Sequence, residues 1–455
     1  MKKQIRKIAI LSTLALSLSA CNDFLDREPI VQVNPDEYFT SENSAEAAVT
    51  GMYRSMQNSF SFGQSVIIVP EFSARHVSHA SSFPEYVNFD QNAVRVDNPW
   101  IQNIWQQVYT TINAANNIIA SVPEMEENAI SDEKRQQFIG EAKFVRALNY
   151  FFMVRAFGAI PFPLTPTEED SELLIPRTPI PEVYAQIVTD LEEASGIPDS
   201  YGDNATTKGR ATGLAAKALL AKVQLYHANI TGDYAQAAST AQEVIASGVF
   251  SLQGTFSTIW ANENTEESIF ELQFDEQVTN PLALQSNDNA SNLFYAKSVS
   301  IYDMYEDDDQ RRDFTVYSGT RNRYYIGKYP QGEPATQNLP VIRLAELYLI
   351  HAEAQARIDG TVSDAAYNSL KEVRDRAGIE TPPASSYGSL DDFIVAVQKE
   401  KELEMMFEGE SWFDFCRTEL ALTDMMSIAD PNFFLYPIPG NQIILNQQLD
   451  QNPGY

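Results

Sequence analysis

The clearest hydrophobic pattern lies between Gly209 and Gly248, where small and apolar residues recur at helical spacing on both sides of a short break. The stripes consist of Leu214, Ala218, Ala221 and Leu225 before the break and of Ala237, Ala241, Val244 and Ile245 after it. Gly232 can end the first helix, and Asp233 can cap the second. The pattern predicts an antiparallel helical hairpin the size of one tetratricopeptide-like repeat. Such a unit needs similar neighbours to bury its apolar face.

Similar stripes recur along the chain and predict four helical hairpins in all, so the predicted fold class is mainly α. The helices are expected to pair as 45–58 with 99–120, 132–158 with 180–195, 210–230 with 233–247, and 341–358 with 364–377. Ser44 is expected to cap the first helix, Ser363 or Asp364 to cap the last one, and Gly378 to end it. A further long helix is predicted from Leu390 to Glu408. The copies share little sequence, so the repeat is structural.

Two long segments, 59–98 and 249–340, interrupt this pattern and are here called the first and second inserts. The first is rich in Ser, Asn and aromatic residues, and the second mixes aromatic residues with short strand-like runs. We predict irregular or small-β structure for both. Long inserts on a repeat scaffold are typical positions for binding sites. Residues 21–44 are polar and contain proline, which favours a tether leading into a single domain over 21–455.

The balance of charge is strongly acidic, with 62 Asp and Glu against 32 Lys and Arg and a formal net charge of −30. Nucleic acid is excluded as a partner, because phosphate binding needs clustered basic residues. A basic face that docks on anionic lipid is excluded for the same reason. The acidic residues are spread along the chain, which indicates solubility rather than one acidic site.

Residues 1–20 read as a bacterial secretory signal, with a basic start, an apolar run from Ile8 to Leu18 and small residues before Cys21. The sequence Leu18-Ser19-Ala20-Cys21 matches a lipobox, in which the thiol at the cleavage point receives diacylglycerol. We therefore expect lipidation of Cys21 and attachment to a membrane through acyl chains. Cys416, in the sequence FDFCR, is expected to be a buried structural thiol.

Six segments in order resemble the SusD/RagB family of outer-membrane lipoproteins, and together they cover nearly the whole chain. They are CNDFLDREP, EAKFVRALNYFFMVRAFGAIPF, GRATGLAAKALLAKVQLY, RLAELYLIHAEA with LKEVRDRAG, EGESWFDFCR, and the terminal PIPGNQI with NQQLDQNPGY. Two positions depart from the family pattern. Glu400-Lys401-Glu402 replaces a common Glu-Arg-Arg, and Ser411 replaces the Arg that commonly precedes the Trp. We expect these positions to form structural ion pairs.

The resemblance implies a surface-exposed, non-catalytic protein that binds nutrients, most often oligosaccharides and sometimes peptides. It also implies a partner: family members cap a SusC-like TonB-dependent transporter as a hinged lid. In the expected SusD-like architecture, tetratricopeptide-like units pack on the transporter side and the irregular regions form the ligand face. No cofactor is implied.

Candidate ligand-binding residues are aromatic and polar side chains of the two inserts, since sugar rings present a C–H face and a hydroxyl rim. The first insert supplies Glu71, Arg75, His76, Phe83, Tyr86, Asp90 and Asn92. The second supplies Trp260, Asn292, Phe294, Tyr295, Tyr302, Arg321 and Tyr324, with Arg323 and Tyr325 nearby. For any single aromatic ring, packing in the core remains the alternative.

Other candidate chemistry is weak in this sequence. His76 and His79 have a possible metal spacing, but zinc needs three or four ligands and no further Cys or His accompanies them. The acidic run around Asp309 lacks the pattern of an EF-hand and reads as a turn with ion pairs. Glu400 and Glu404 lie one helical turn apart, whereas glycosidase carboxylates must flank the substrate from two sides. We therefore expect no metal site and no catalytic residue.

Four functions remain open from the sequence. The first is a glycan-binding lid on an outer-membrane transporter, and the second is a peptide-binding lid of the same kind. The third is a surface hydrolase with dispersed carboxylates, and the fourth is a scaffold without a small ligand. Product formation by the purified protein would favour the hydrolase, whereas binding without turnover favours one of the lids.

Overall fold

The computed structural model describes residues 38–168, 171–287, 293–319, 323–424 and 428–455. The first half of the chain forms these elements: α1 (Glu42–Met56), α2 (Ser65–Ser73), β1 (Val77–His79), α3 (Pro84–Asp90), α4 (Pro99–Glu124), α5 (Asp132–Phe157), α6 (Ile180–Ala194), α7 (Asn204–Gly209), α8 (Gly213–Thr231) and α9 (Ala235–Ala246).

The second half contains short elements followed by further long helices. They are α10 (Thr258–Ala261), β2 (Ser268–Leu272), α11 (Pro281–Ser286), β3 (Phe294–Ala296), α12 (Val299–Tyr302), α13 (Arg312–Thr315), β4 (Val316–Ser318), β5 (Tyr324–Ile326), β6 (Leu339–Arg343), α14 (Leu344–Asp359), α15 (Asp364–Ala377), α16 (Leu390–Met405), α17 (Ser411–Arg417), α18 (Leu420–Asp424) and α19 (Gly440–Leu445). Two short 3₁₀ turns cover Ala384–Ser386 and Pro431–Phe434. The mainly helical fold class is therefore confirmed.

The long helices pack one on the next in the order α1, α4, α5, α6, α8, α9, α14 and α15. Each of the four helix pairs expected from the sequence is in contact, and α16 packs on α14. The apolar stripes of these helices join one large core, and Ala345, Leu349 and Phe393 belong to a second core cluster beside it. The stacked helices thus form a continuous scaffold.

Several helix ends lie where capping chemistry predicts them. Gly232 adopts the left-handed conformation with φ of 80° after α8, and Gly378 does the same with φ of 79° after α15. The Ser363 side chain accepts a hydrogen bond from the amide of Ala366, as an N-cap does. The Asp233 carboxylate accepts one from the amide of Ala235 at 3.0 Å, but the N-cap position of α9 is occupied by Tyr234, so the expectation that Asp233 caps this helix is wrong.

Three expectations about boundaries are wrong. Helix α1 begins three residues early, because Ser41 is the N-cap and Ser44 completes a capping box with it. Helix α16 ends at Met405 rather than Glu408. The first insert contains α2 and α3 in addition to irregular structure. The sequence of α2, SVIIVPEFS, shows no helical stripe because all nine of its residues are buried.

The strands form three small antiparallel sheets, each with two strands. They pair as β1 with β3, β2 with β6, and β4 with β5. Sheet β2–β6 lies within the second insert and joins the helical scaffold at its end, because α14 begins directly after β6. The expected small-β character of the second insert is confirmed.

Candidate ligand-binding surface

The two inserts meet at the sheet formed by β1 and β3. Ser78 is paired with Tyr295, and His79 is paired with Phe294. Alternate side chains of a strand point to opposite faces, so Phe294 and Ala296 are buried while Tyr295 is half-buried. Strand β3 also lies against β5. A surface made from both inserts therefore results from pairing residues more than 200 positions apart.

Aromatic rings from both inserts cluster around His79. Its ring centroid lies 5.3 Å from that of Phe83, 4.8 Å from that of Tyr86 and 5.2 Å from that of Phe294. Phe294 is fully buried and Tyr86 is 7% exposed, whereas Phe83 is 40% exposed. The buried rings thus support Phe83, which presents apolar ring surface to solvent.

A cation lies beside this aromatic group. The guanidinium of Arg323 lies over the ring of Tyr295, 4.6 Å from its centroid, in cation–π geometry. Burial, together with the charge of Arg323, lowers the pKa of His79 below its ordinary value, so this imidazole is neutral at pH 7. Its Nδ1 accepts a hydrogen bond from the amide of Ser81 at 3.0 Å. We call His79, Phe83, Tyr86, Tyr295 and Arg323 the aromatic face.

A second group of rings continues from this surface along β5. Tyr324 follows Arg323 in the chain, and its ring lies 5.6 Å from that of Tyr302. The Tyr302 hydroxyl donates a hydrogen bond to the Asp313 carboxylate at 2.6 Å. Arg312 lies 4.9 Å from the Tyr302 centroid and is paired with Asp307. The Tyr302 hydroxyl and one nitrogen of Arg312 thus already have carboxylate partners within the chain.

His76 and Glu71 lie inside the protein rather than on its surface. Nδ1 of His76 lies 2.7 Å from the Glu71 carboxylate, and its Nε2 lies 3.2 Å from the Glu402 carboxylate. The other Glu71 oxygen accepts a hydrogen bond from the amide of Gly409 at 2.8 Å. Burial opposes a charge here, but the two carboxylates raise the pKa of His76 to about 9. This buried ion triad fastens the first insert to α16.

The remaining candidates are distributed between the interior and the surface. Trp260 is buried beside Lys328. Asn92 is buried with φ of 51°, and its side-chain amide donates to the carbonyl of Ser73. Asp90 is paired with Lys297. Arg75 is half-buried with φ of 65°. Burial removes six candidates from the set of side chains that can face a ligand in this conformation: Glu71, His76, Tyr86, Asn92, Trp260 and Phe294.

Asn292, Arg321 and Cys21 lie outside the described residues. Sequence reasoning gave His79 no role in a ligand surface and considered it as a metal ligand. The available signal was the alternation of side chains in a strand of three residues: Val77 and His79 are buried, and Ser78 between them is half-buried. A strand that short is difficult to recognise from sequence.

The acidic residues considered for catalysis form ion pairs instead. One nitrogen of Arg311 lies 2.6 Å from Glu400 and 2.9 Å from Glu404, and all three side chains are buried. Asp309 is paired with Arg311 at 2.7 Å, which confirms the expected ion-paired turn. Lys401 contacts Glu346 and Asp414. The expectation of ion pairs at 400–402 is therefore confirmed.

Two other features are separate from the aromatic face. Across residues 38–455, apart from the four short gaps given above, no group of three or more His, Cys, Asp or Glu could hold a metal ion. An internal cavity of about 30 Å³, room for about one water molecule, is lined by Phe62, Leu148, Arg155, Lys222, Ile342 and Glu410. Cys416 is half-buried rather than fully buried, and burial raises its thiol pKa.

Comparison with known proteins gives a consistent result over the whole chain. Residues 226–432 match the model of the SusD family, and residues 23–225 match a model described as starch-binding associating with outer membrane. A SusD-like protein of Bacteroides ovatus is 26% identical over 486 aligned positions, which cover 92% of this chain and 84% of that protein.

Solved structures agree with these sequence matches. A SusD superfamily protein of Parabacteroides distasonis superposes with a TM-score of 0.80 at 25% identity, covering 91% of this chain and all of that one. A laminarin-binding SusD-like protein superposes with a TM-score of 0.77 at 26% identity, again over 91% of this chain and all of that one.

Proposed function

Since the chain belongs to the SusD/RagB family, we propose that it binds oligosaccharides at the outer membrane and passes them to a transporter. Carbohydrate binding is supported by two comparisons. One matching model is described as starch-binding, and one similar structure binds laminarin. The similar structure described as laminarin binding is described by what it binds, which supports a non-catalytic role.

The aromatic face is the observation that carries this proposal. Sugar rings stack their C–H faces on aromatic side chains, and their hydroxyl groups need polar neighbours. Phe83 and Tyr295 offer ring surface from two different inserts, with Arg323 and the neutral His79 beside them. An open surface of this kind can accept several sugar units side by side. We propose Phe83, Tyr295 and Arg323 as its contacts, with Tyr302 and Tyr324 as an extension and the buried His79 as support beneath them.

Membrane attachment is supported by the N-terminal sequence and by one family model. Among the described residues, no helix is both long and apolar enough to cross a bilayer. Acyl chains on Cys21 would then hold the protein at the outer membrane, as the lipobox indicates. We propose that the protein faces the cell exterior and that a SusC-like TonB-dependent barrel is its partner.

Calorimetry with a panel of oligosaccharides tests the proposed function. We expect at least one to bind without being converted to product. Phe83→Ala and Tyr295→Ala should each weaken that binding roughly fivefold, because stacking of each ring contributes on the order of 1 kcal/mol. The matched control is Leu173→Ala, which truncates an apolar side chain that is 67% exposed outside both inserts.

Three outcomes would contradict the proposal. The first is a panel in which no glycan binds while the protein is folded. The second is release of product by the purified protein, which would favour the surface hydrolase. The third is binding that survives both ring truncations unchanged, which would move the site away from the aromatic face. Thermal unfolding of each variant establishes that the fold is intact.

A further inference from the structure

Cationic side chains in this chain are scarce, and nearly all of those described lie within 4 Å of a carboxylate. Among the described residues, the exceptions are Arg54, Arg75, Lys134, Arg135, Lys208 and Arg323. Three of these six have other acceptors. Lys134 donates to the side chain of Gln137, Arg135 to backbone carbonyls, and Lys208 to the carbonyl of Ser268. Arg54 is exposed on α1, and Arg75 is half-buried in the first insert.

Arg323 is the exception that lies on the aromatic face. Its guanidinium stacks on Tyr295, and no described carboxylate or carbonyl oxygen accepts a hydrogen bond from it. The chain has about twice as many acidic as basic residues, so an ion-pair partner would be easy to supply. Tyr295 holds the plane of the guanidinium in place, which lowers the entropy lost when its N–H groups bind an acceptor.

The neighbouring groups leave this charge available. The pKa of His79 is lowered, so at neutral pH it adds no competing positive charge and offers a polar nitrogen. Glu85, which is half-buried, is the acidic group that influences His79, and it does not lie within 4 Å of any described cation. The aromatic face therefore combines exposed ring surface with one oriented, unneutralised guanidinium.

We propose that the aromatic face selects anionic oligosaccharides, and that Arg323 binds a carboxylate or sulfate group on a sugar that stacks against Phe83 and Tyr295. This inference rests on the proposed function and narrows its ligand class. A guanidinium presents two parallel N–H groups that match the two oxygens of a carboxylate or a sulfate. Uronic acids and sulfate esters share this chemistry, and a neutral glycan offers no such partner.

Removing the positive charge and removing the negative charge at this site should have opposite effects on the binding of an anionic oligosaccharide. Arg323→Gln removes the positive charge and should weaken binding of an anionic oligosaccharide about tenfold, because hydrogen bonds between charged groups are among the stronger ones. Glu85→Gln removes the nearby negative charge and should strengthen that binding. Arg54→Gln makes the same change in charge as Arg323→Gln on the helical scaffold, and it should leave binding unchanged.

The experiment is calorimetric titration of the full chain with three probes of matched length: an oligogalacturonate, a sulfated oligosaccharide and a neutral laminari-oligosaccharide. We expect one of the anionic probes to bind at least tenfold more tightly than the neutral one, with affinity that falls as salt is raised. Arg323→Gln should abolish that preference. The two anionic arms distinguish a carboxylate from a sulfate ligand.

Each other result has a definite meaning. Tighter binding of the neutral probe, with Phe83→Ala harmful and Arg323→Gln without effect, would overturn this inference and leave the proposed function standing. Equal loss of all three probes in Arg323→Gln would also overturn it, since the side chain would then act through packing. Binding of none of the probes by the folded protein would contradict both proposals.

Discussion

At the scale of single residues, several charged side chains that the sequence would place on the surface are buried in ion pairs. His76 illustrates the principle, because its imidazolium lies between Glu71 and Glu402 with almost no solvent contact. Phe407 and Phe415 face the ring edge-on at 6.5 and 6.2 Å. An ion in such surroundings is stable only while its partners remain charged. The triad is therefore a structural element that depends on pH.

Stability should fall with rising pH because of His76. Its folded pKa of about 9 lies above the ordinary value of 6.5, so its contribution is complete below pH 6.5 and is lost as pH rises through 9. The change amounts to about 3 kcal/mol. His76→Gln should lack it. Urea unfolding of both proteins at several pH values between 6 and 9.5 measures the difference in their free energies of unfolding, which cancels the titrations they share.

The expected difference is large at pH 6 and small at pH 9.5. Parallel pH profiles for the two proteins would show that His76 is not protonated in the folded state. Glu402 provides a check from the other side, because its pKa is lowered and, after the opposing effect of burial, His76 is the main cause. In His76→Gln, the folded pKa of Glu402 should rise, so the acid-induced loss of stability due to Glu402 should become smaller.

At the scale of elements, two glycines show two effects that the sequence alone does not distinguish. One is the left-handed backbone at a helix end, and the other is low helix propensity inside a helix. Gly232 ends α8 with φ of 80°, whereas Gly51 lies inside α1 with ordinary helical geometry, and neither would place a new Cβ within 4 Å of another atom. Gly232→Ala should therefore destabilise by about 1 kcal/mol through backbone strain. Gly51→Ala should stabilise by about 0.5–1 kcal/mol, because alanine is the better helix former.

Thermal and urea unfolding of both variants measure these changes. Because neither substitution creates a contact, opposite signs can come only from the backbone. The same sign for both would contradict the assignment of Gly232 as a left-handed cap. The result also tests the boundary between α8 and α9, on which the predicted hairpin of 210–230 with 233–247 depends.

Helices α4, α6 and α15 were predictable because each has one apolar stripe and a polar remainder. The elements that build the aromatic face were not. Helix α2 is buried on every side and so has no periodic pattern. The pairing of His79 with Phe294 joins strands of three residues across most of the chain, and no local signal specifies such a partner. The surface aromatic Phe83 and the buried Phe294 look alike in sequence, because burial is decided by that pairing.

At the scale of the whole molecule, the net charge of −30 and the buried ion pairs both follow from the excess of acidic over basic residues. Most described cationic side chains form ion pairs with carboxylates. Arg343, for example, contacts Glu267, Glu404 and Glu408 at 2.7 to 2.9 Å. Acidic residues without such a cation, for example Glu124, Glu127 and Asp308, are exposed on the surface. Arg323 differs from most described cations because no described carboxylate lies within 4 Å of it. This difference is the reason for assigning it a role in ligand binding.

The same network holds the second insert to the scaffold, and Glu404 is its centre. Glu404 on α16 contacts Arg343 at the end of β6, Arg311 before α13 and Arg376 on α15, and these groups hold its pKa well below the ordinary value despite burial. Glu404→Gln would leave three buried cations short of one negative charge. We expect a loss of about 3–5 kcal/mol in the free energy of unfolding. The matched control is Glu243→Gln, which breaks an exposed pair with Lys217 and should change stability by less than about 1 kcal/mol.

Hydrogen exchange can show where this stability acts. In Glu404→Gln, amides of β2 and β6 should exchange faster than in the wild type. Arg343, at the end of β6, loses one carboxylate partner and keeps its pair with Glu267, the residue before β2. Amides of α6, which packs on α5 and α8, should keep their protection unless the whole protein unfolds. Uniform acceleration across all helices would mean that the network stabilises the molecule only globally. Faster exchange confined to the second insert would show that buried charge sets the rigidity of the support beneath the aromatic face.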